Sequence, residues 1–441
     1  MSGSGVESIS SMNASECTTL LIQNARIIDP AAHRDEVADL FIANGILQPV
    51  PSVLPSTIRR IDAKGLVATP GLWDLHVHFR DPGNPRAETL ESGSRAAAAG
   101  GFTHVVTMPN TSPACDTPAV LQHQMNPSLA VRILPSACVT RSRSGDVLAD
   151  LEALAAAGAV AFTDDGTMVD NPSLMAEAMR RASALSRVVM DHAVLPKLAG
   201  PGVIRACEAA KRFNLPVFPP EAETEAVAQD IRISRQTGAP IHIQHLSCAE
   251  SAAAIRAAQR DGVRVSAEAS PHHLALSADD IADDQGDFRM NPPLGNRLDV
   301  LKLREAVLDG TIAAFATDHA PHAPDTKAHG FMRAPSGVIG LETAVGVTYT
   351  LMVGVERMPL SVWVERWTTG PAAILGLPAP RLAMGKPADL VLLDVTTPWR
   401  VDPARFQSRA RNCPFARWTL HGRARLTLCE GRITWMDDPW E

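Results

Sequence analysis

Cysteine pairs, basic clusters and long apolar runs are all missing from this chain. Its seven cysteines are odd in number and scattered, with no C-x-x-C pair, which argues against a disulfide framework or a thiolate zinc site. Lys and Arg total 41 against 48 Asp and Glu, a net charge of −7, and no basic patch gathers to hold a phosphate backbone, so nucleic acid is excluded as a partner. No apolar run reaches the roughly 18 residues of a membrane span. The first residues show neither a basic nor an apolar leader segment, and a reducing cytoplasm fits the cysteine usage. Aromatic residues make up only 4%, with a single tyrosine, which leaves little surface for stacking a ligand. What is present is a composition of 45% hydrophobic and 20% charged residues, ordinary for a globular protein.

Residues 1–18 read as a Ser-rich disordered tail. Residues 19–66 alternate short apolar runs with turn residues, as short antiparallel strands do, and residues 380–441 return to the same pattern. The two ends are expected to form one small β-sandwich domain. Between them, over 67–379, the chain repeats strand, turn and helix. Eight apolar strands end near His78, Asn110, Ala137, Asp165, His192, His245, Ser270 and His319. Eight such units predict an α/β fold, a (β/α)8 TIM barrel inserted into the β domain. The apolar Leu215–Phe218 segment reads as an irregular insert between the fifth and sixth strands.

Chemistry in such barrels sits at the C-terminal ends of the strands. His76 and His78, two apart, share one face of the first strand. Asp164 and Asp165 end the fourth, His192 the fifth and His245 the sixth, and Asp318 lies at the end of the eighth. Imidazole and carboxylate in this number suit a pair of divalent ions such as zinc, with a bridging group. His104, His123 and His242 read as ordinary core or surface histidines. Arg80, two residues beyond His78, offers a planar fork for a carboxylate, although an isolated Arg is commonly only a surface ion pair.

The segments PGLWDLHVHFRDPG, TMPNTSP, FTDDG, MDHA, IHIQHLS, EASPHHL, MNPPLG, ATDHAPH and SGVIGLETA, in this order from about Leu20 to Trp435, resemble the bacterial class I dihydroorotases of the amidohydrolase superfamily. The resemblance implies that His76, His78 and Asp318 bind one Zn2+, that His192 and His245 bind a second, and that Asp165 and a hydroxide bridge the two. Asp164 competes for the bridge; the 27-residue interval to His192 favours Asp165. Related hydantoinases carry a carboxylated lysine there, and this chain has none.

The activity implied is reversible cyclisation of N-carbamoyl-L-aspartate to L-dihydroorotate in de novo pyrimidine synthesis, with Asp318 as catalytic acid and base. A small charged substrate of this kind calls for cations and metal more than for stacking surfaces. Arg80, Asn110, Asn291 and His322 stand where the family contacts substrate, and His272 and His273 are expected to orient their neighbours. Partners would be a second copy of the chain or aspartate transcarbamoylase. A hydantoin- or allantoin-directed enzyme and a non-catalytic transcarbamoylase scaffold are the alternatives. Three departures from the family pattern fall in pocket-shaping loops: Gly295 where an Arg is usual after NPPL, HAPDTK in place of a Glu-Lys pair, and APSG over Ala334–Gly337 in place of APFG.

Overall fold

The computed structural model describes residues 18–437 except 55 and 57, so nearly all of the tail read over 1–18 lies outside the described residues. Eight parallel strands form a barrel: Leu72–Val77, Phe102–Thr107, Arg132–Pro135, Ala161–Phe162, Val188–Asp191, Ile241–Ile243, Val265–Ala269 and Ala314–Phe315. The first three pair in one sheet and the other five in a second. Parallel bridges from Ala137 to Phe162 and from Val77 to His319 join the two into a closed ring. Leu72–Val77 and Phe102–Thr107 are buried along their whole length, which is why they read as apolar runs without alternation. Val217 of the Leu215–Phe218 insert makes an isolated bridge with Ile204 and stays outside the ring.

Local signals set the helices between the strands. Thr89 caps Leu90–Ala99 by accepting from the Ser92 amide, and the helix stops at Gly100. Gly101, at φ +93°, then turns the chain into the second strand, a conformation glycine adopts without cost. Asp150 caps Leu151–Ala156 in the same way. The apolar faces of these helices, with Leu154, Met175, Met179 and Val227 among them, pack with Phe102 and Ile241 into the largest core layer. Inside the barrel, Leu75, Val106, Ala161, Met190 and Ala314 from five strands form a separate apolar plug.

Both chain ends share one mixed sheet. Leu20–Asp29 pairs with Arg34–Ala43 and with Val67–Pro70; Val67–Pro70 pairs with Leu390–Asp394, which pairs with Arg423–Cys429 and so reaches Arg432–Met436. The barrel is thus inserted into a sandwich-like unit whose core includes Ile22, Ile27, Ile42, Leu392 and Leu426. Among the described residues no helix is long and apolar enough to cross a membrane.

Candidate metal centre

The ligand-type residues converge at the C-terminal rim. One compact group is His76, His78 and Asp318, and another is His76, Asp165 and His245, all of them buried. Asp165 lies between two histidine pairs. Its Oδ1 is 3.2 Å from His76 Nε2, 3.7 Å from His192 Nδ1 and 3.8 Å from His245 Nε2, and its Oδ2 is 3.5 Å from His78 Nε2. Asp318 Oδ1 lies 3.2 Å from His78 Nε2 and 3.5 Å from His76 Nε2. His192 belongs to neither compact group, yet its Nδ1 faces His245 Nε2 at 2.8 Å.

The neighbours of each ring explain why these nitrogens point inward. His76 Nδ1 donates to Glu268 at 2.8 Å, which leaves Nε2 as a lone pair that is buried and has no hydrogen-bond partner. His78 Nδ1 donates to Asn110 Oδ1 at 2.8 Å, while Asn110 Nδ2 donates to Asp165 Oδ2 at 3.0 Å. The side-chain amide of Asn291 is 3.0 Å from His192 Nε2. Carboxylate or amide support of a ligating imidazole fixes its tautomer and raises its basicity. The paired oxygens and free imidazole nitrogens therefore fit a pair of divalent ions.

Electrostatics point the same way. Burial opposes a charge on His76, but Asp165 and Asp318 outweigh it and hold the ring's pKa well above the usual histidine value. Burial would raise Asp165, yet His76, His192 and His245 bring it well below the carboxylate range, and Asp318 is lowered through His76 and His78. The two carboxylates demand positive charge, and a bound cation supplies it without a proton on His76. Burial keeps His78 and His192 toward the neutral, ligating form.

Asp164 is turned away from this centre. It accepts from the Val139 amide at 2.9 Å, the Thr140 amide at 3.1 Å and the Thr140 hydroxyl, so its carboxylate is spent on the loop after the third strand. Glu268 is an addition that the sequence reading missed. Glu268 takes His76 Nδ1 and, at 3.1 Å, His242 Nε2, so His242 is a support of the centre. Burial would raise Glu268, but the bonds from His242 and His76 hold it at about 2. A carboxylate inside an otherwise apolar barrel strand was the available signal. His273 Nε2 donates to the Pro292 carbonyl beside Asn291, and burial lowers His272 to about 4 and holds His273 well below the usual histidine value.

A cavity of about 140 Å³ opens onto the centre, lined by Arg80, Asn110, Asn291 and Asp318 with Ser336 and Gly337. It adjoins another of about 290 Å³ through His192, Asn291 and Ser336. Arg80 Nε donates to the Pro321 carbonyl at 3.3 Å, which aims its fork along the wall. His322 is turned to that wall as well, with Nε2 donating to the Ser336 carbonyl at 2.8 Å, and burial lowers it to about 3. Arg80, His245 and Asp318 have φ of +55°, +30° and +47°, a region costly for residues with a Cβ and typical of functional sites. A larger cavity of about 600 Å³, lined by Arg187, Val188, Arg264 and Val265, lies at the opposite end of the barrel, away from both ligand groups.

One of the departures acquires a physical reason and another a place in the site. A Cβ at Gly295 would come within 2.7 Å of the Ser247 carbonyl and 2.6 Å of Asp299 Cβ, so this loop has no room for a side chain, and Arg297 reaches Asp280 at the surface instead. Ser336 of APSG lines the cavity itself.

Comparison with known proteins agrees with this geometry. Residues 65–251 match the dihydro-orotase-like family model and residues 217–435 the amidohydrolase family model. The chain is 41% identical over 420 residues to the dihydroorotase of Syntrophotalea carbinolica, covering 94% of this chain and 99% of that one. It is 42% identical over 378 residues to the dihydroorotase of Bacillus caldolyticus, 85% and 88% of the two chains. The fold matches the L-hydantoinase of Arthrobacter aurescens with a TM-score of 0.83 at 24% identity, covering 96% and 97%. It matches the dihydropyrimidinase of Brevibacillus agri with a TM-score of 0.80 at 22% identity, covering 94% and 95%. With a closed barrel, a metal-binding rim and relatives of this identity over nearly its whole length, the chain is an amidohydrolase and belongs to the dihydroorotase family.

Proposed function

We propose that the chain catalyses the reversible cyclisation of N-carbamoyl-L-aspartate to L-dihydroorotate and water, with two zinc ions. The observation that carries this reading is the Asp165 carboxylate set between two histidine pairs, with Asp318 3.2 Å from His78 and Arg80 in the same cavity wall. His76, His78 and Asp318 would hold one ion, His192 and His245 the other, and Asp165 would span both. Two such ions, when bound, supply Lewis acidity that polarises a carbonyl and lowers the pKa of water from about 15.7 towards 7.

The chain's own groups do the rest. Asp318 is an anion at neutral pH, because His76 and His78 overcome the effect of burial. In ring opening, water adds to the cyclic amide carbonyl and the bond to the ring nitrogen breaks. Asp318 takes the proton of the adding water and delivers it to the departing nitrogen. In ring closure the carbamoyl nitrogen attacks the carbon of the protonated side-chain carboxyl, Asp318 takes the nitrogen's proton and delivers it to the departing hydroxyl, and water leaves. Arg80 and Asn291 would hold the carboxylate that is not consumed. Asn110 sits between His78 and Asp165, and His322 faces Ser336; each would meet substrate only from the cavity edge.

The test is metal content measured together with carbamoyl aspartate cyclisation. Two zinc ions per chain and turnover of carbamoyl aspartate are expected. A metal-free purified protein would sink the reading, and activity confined to hydantoins would replace it with a hydantoin-directed one.

A further inference from the structure

The loop after the eighth strand carries a lysine that the reaction does not use. Lys327 is 6% exposed, and its Nζ lies 3.2 Å from the Arg289 carbonyl, 3.0 Å from that of Pro335 and 2.9 Å from that of Gly337. These carbonyls belong to two separate loops. Arg289 lies two residues before Asn291, and Pro335 and Gly337 flank Ser336, so the ammonium sits behind both walls of the substrate cavity. Asn412, from the far end of the chain, reinforces the junction: Nδ2 donates to the Ala320 carbonyl at 3.1 Å and the Gly337 carbonyl at 3.0 Å, and Oδ1 accepts from the His322 amide at 3.3 Å. The Gly337 amide in turn donates to the Arg289 carbonyl at 2.9 Å.

We propose that Lys327 is a positioning residue for substrate, its ammonium pinning the Arg289–Asn291 loop to the Pro335–Gly337 loop so that Asn291 and Ser336 face the bound carboxylate. The proposal rests on the reaction assigned above. Its chemistry depends on protonation. Three carbonyls need three N–H donors, which only the ammonium has; a neutral amine supplies two and turns its lone pair toward the third oxygen. Burial pushes Lys327 down to about 7, Asp287 pulls it up and Arg289 pushes it down. The other charged or titratable groups around the adjoining outer cavity of about 790 Å³ are Asp284, His329, Arg333 and Arg411. The pin therefore loosens as pH rises past neutrality, and substrate affinity falls with it.

The test uses the full-length, metal-loaded protein with Lys327→Met and Lys327→Arg. Lys327→Met is expected to raise KM for dihydroorotate about tenfold, the loss of a charged hydrogen bond, with little change in kcat. The wild-type protein is expected to show KM rising above neutral pH, and Lys327→Arg, which stays charged, to flatten that rise. An unchanged KM in Lys327→Met, or a rise with pH that persists in Lys327→Arg, overturns the proposal while leaving the reaction in place. If the wild type does not turn over dihydroorotate, the reaction assignment fails separately, and amide hydrogen exchange decides on Lys327. Faster exchange at Gly337 in Lys327→Met, with the strand Phe102–Thr107 unchanged, supports the pin; equal exchange at Gly337 overturns it.

Discussion

Glu268 accepts the Nδ1 hydrogen of His76 at 2.8 Å, beneath a ring whose Nε2 faces both Asp165 and Asp318. The same carboxylate holds His242 at 3.1 Å, so one buried anion orients two rings. Glu268→Gln keeps the volume and removes the charge. Metal affinity is expected to fall about 10- to 100-fold, the usual effect of losing such support. Competition against a chromophoric chelator measures it, and an affinity equal to the wild type's would show that His76 needs no such partner.

The adjacent acids Asp164 and Asp165 should separate cleanly. Asp165→Asn removes the charge that His76, His78, His192 and His245 all face, so metal content should drop by at least one ion per chain. Asp164→Asn should leave metal content intact and cost about 1–3 kcal/mol of stability, since it weakens a buried acceptor for Val139 and Thr140. Elemental analysis and thermal unfolding of both variants give the answer. Metal loss in Asp164→Asn alone would reverse the assignment.

The barrel and most of the centre were legible because of where residues stand in the chain. A histidine or aspartate just beyond the end of an apolar strand is placed on the rim by the fold itself, as His192, His245 and Asp165 are. Support from other strands was not legible. Glu268 sits in Val265–Ala269, and nothing local shows that its carboxylate meets a histidine from the first strand. Asn110 and His322 were read as substrate contacts, and only tertiary contacts reveal that one braces His78 and Asp165 while the other faces Ser336. Lys327 and Asn412 were hidden for the same reason, since their partners are backbone carbonyls of distant loops and leave no mark in side-chain pattern.

Acid should weaken the fold partly through His104. This ring stacks on Trp73 with centroids 4.5 Å apart, and burial, then the charge of Arg132, lowers its pKa from 6.5 to about 3. The folded pKa is depressed, so the folded ring stays neutral while the unfolded one takes a proton. Stability is full above pH 6.5 and is lost as pH falls toward the folded value. At pH 5 the deficit from this group is about 2 kcal/mol. His104→Phe should narrow the difference in Tm between pH 7 and pH 5. Some slope will remain, because His272 and His322 are lowered by burial as well. An undiminished difference would mean that His104 is not among the groups that make the fold acid-sensitive.

The proposed mechanism gives Asp318 two duties that one substitution can divide. Its Oδ1 stands close to both His78 and His76, and its backbone is held at φ +47°, so its place is fixed independently of its charge. An asparagine can still offer an oxygen to a metal, but it cannot take up a proton at neutral pH. Asp318→Asn should therefore keep its fold and most of its metal while kcat falls by about 10²- to 10⁴-fold, the usual contribution of a positioned acid and base. Metal content, circular dichroism and turnover measured on one preparation make the division visible. If metal and activity are lost in parallel, Asp318 acts mainly as a ligand. If metal is kept and turnover remains high, the proton is carried by another group, and His78, the nearest ring at 3.2 Å, becomes the first to examine.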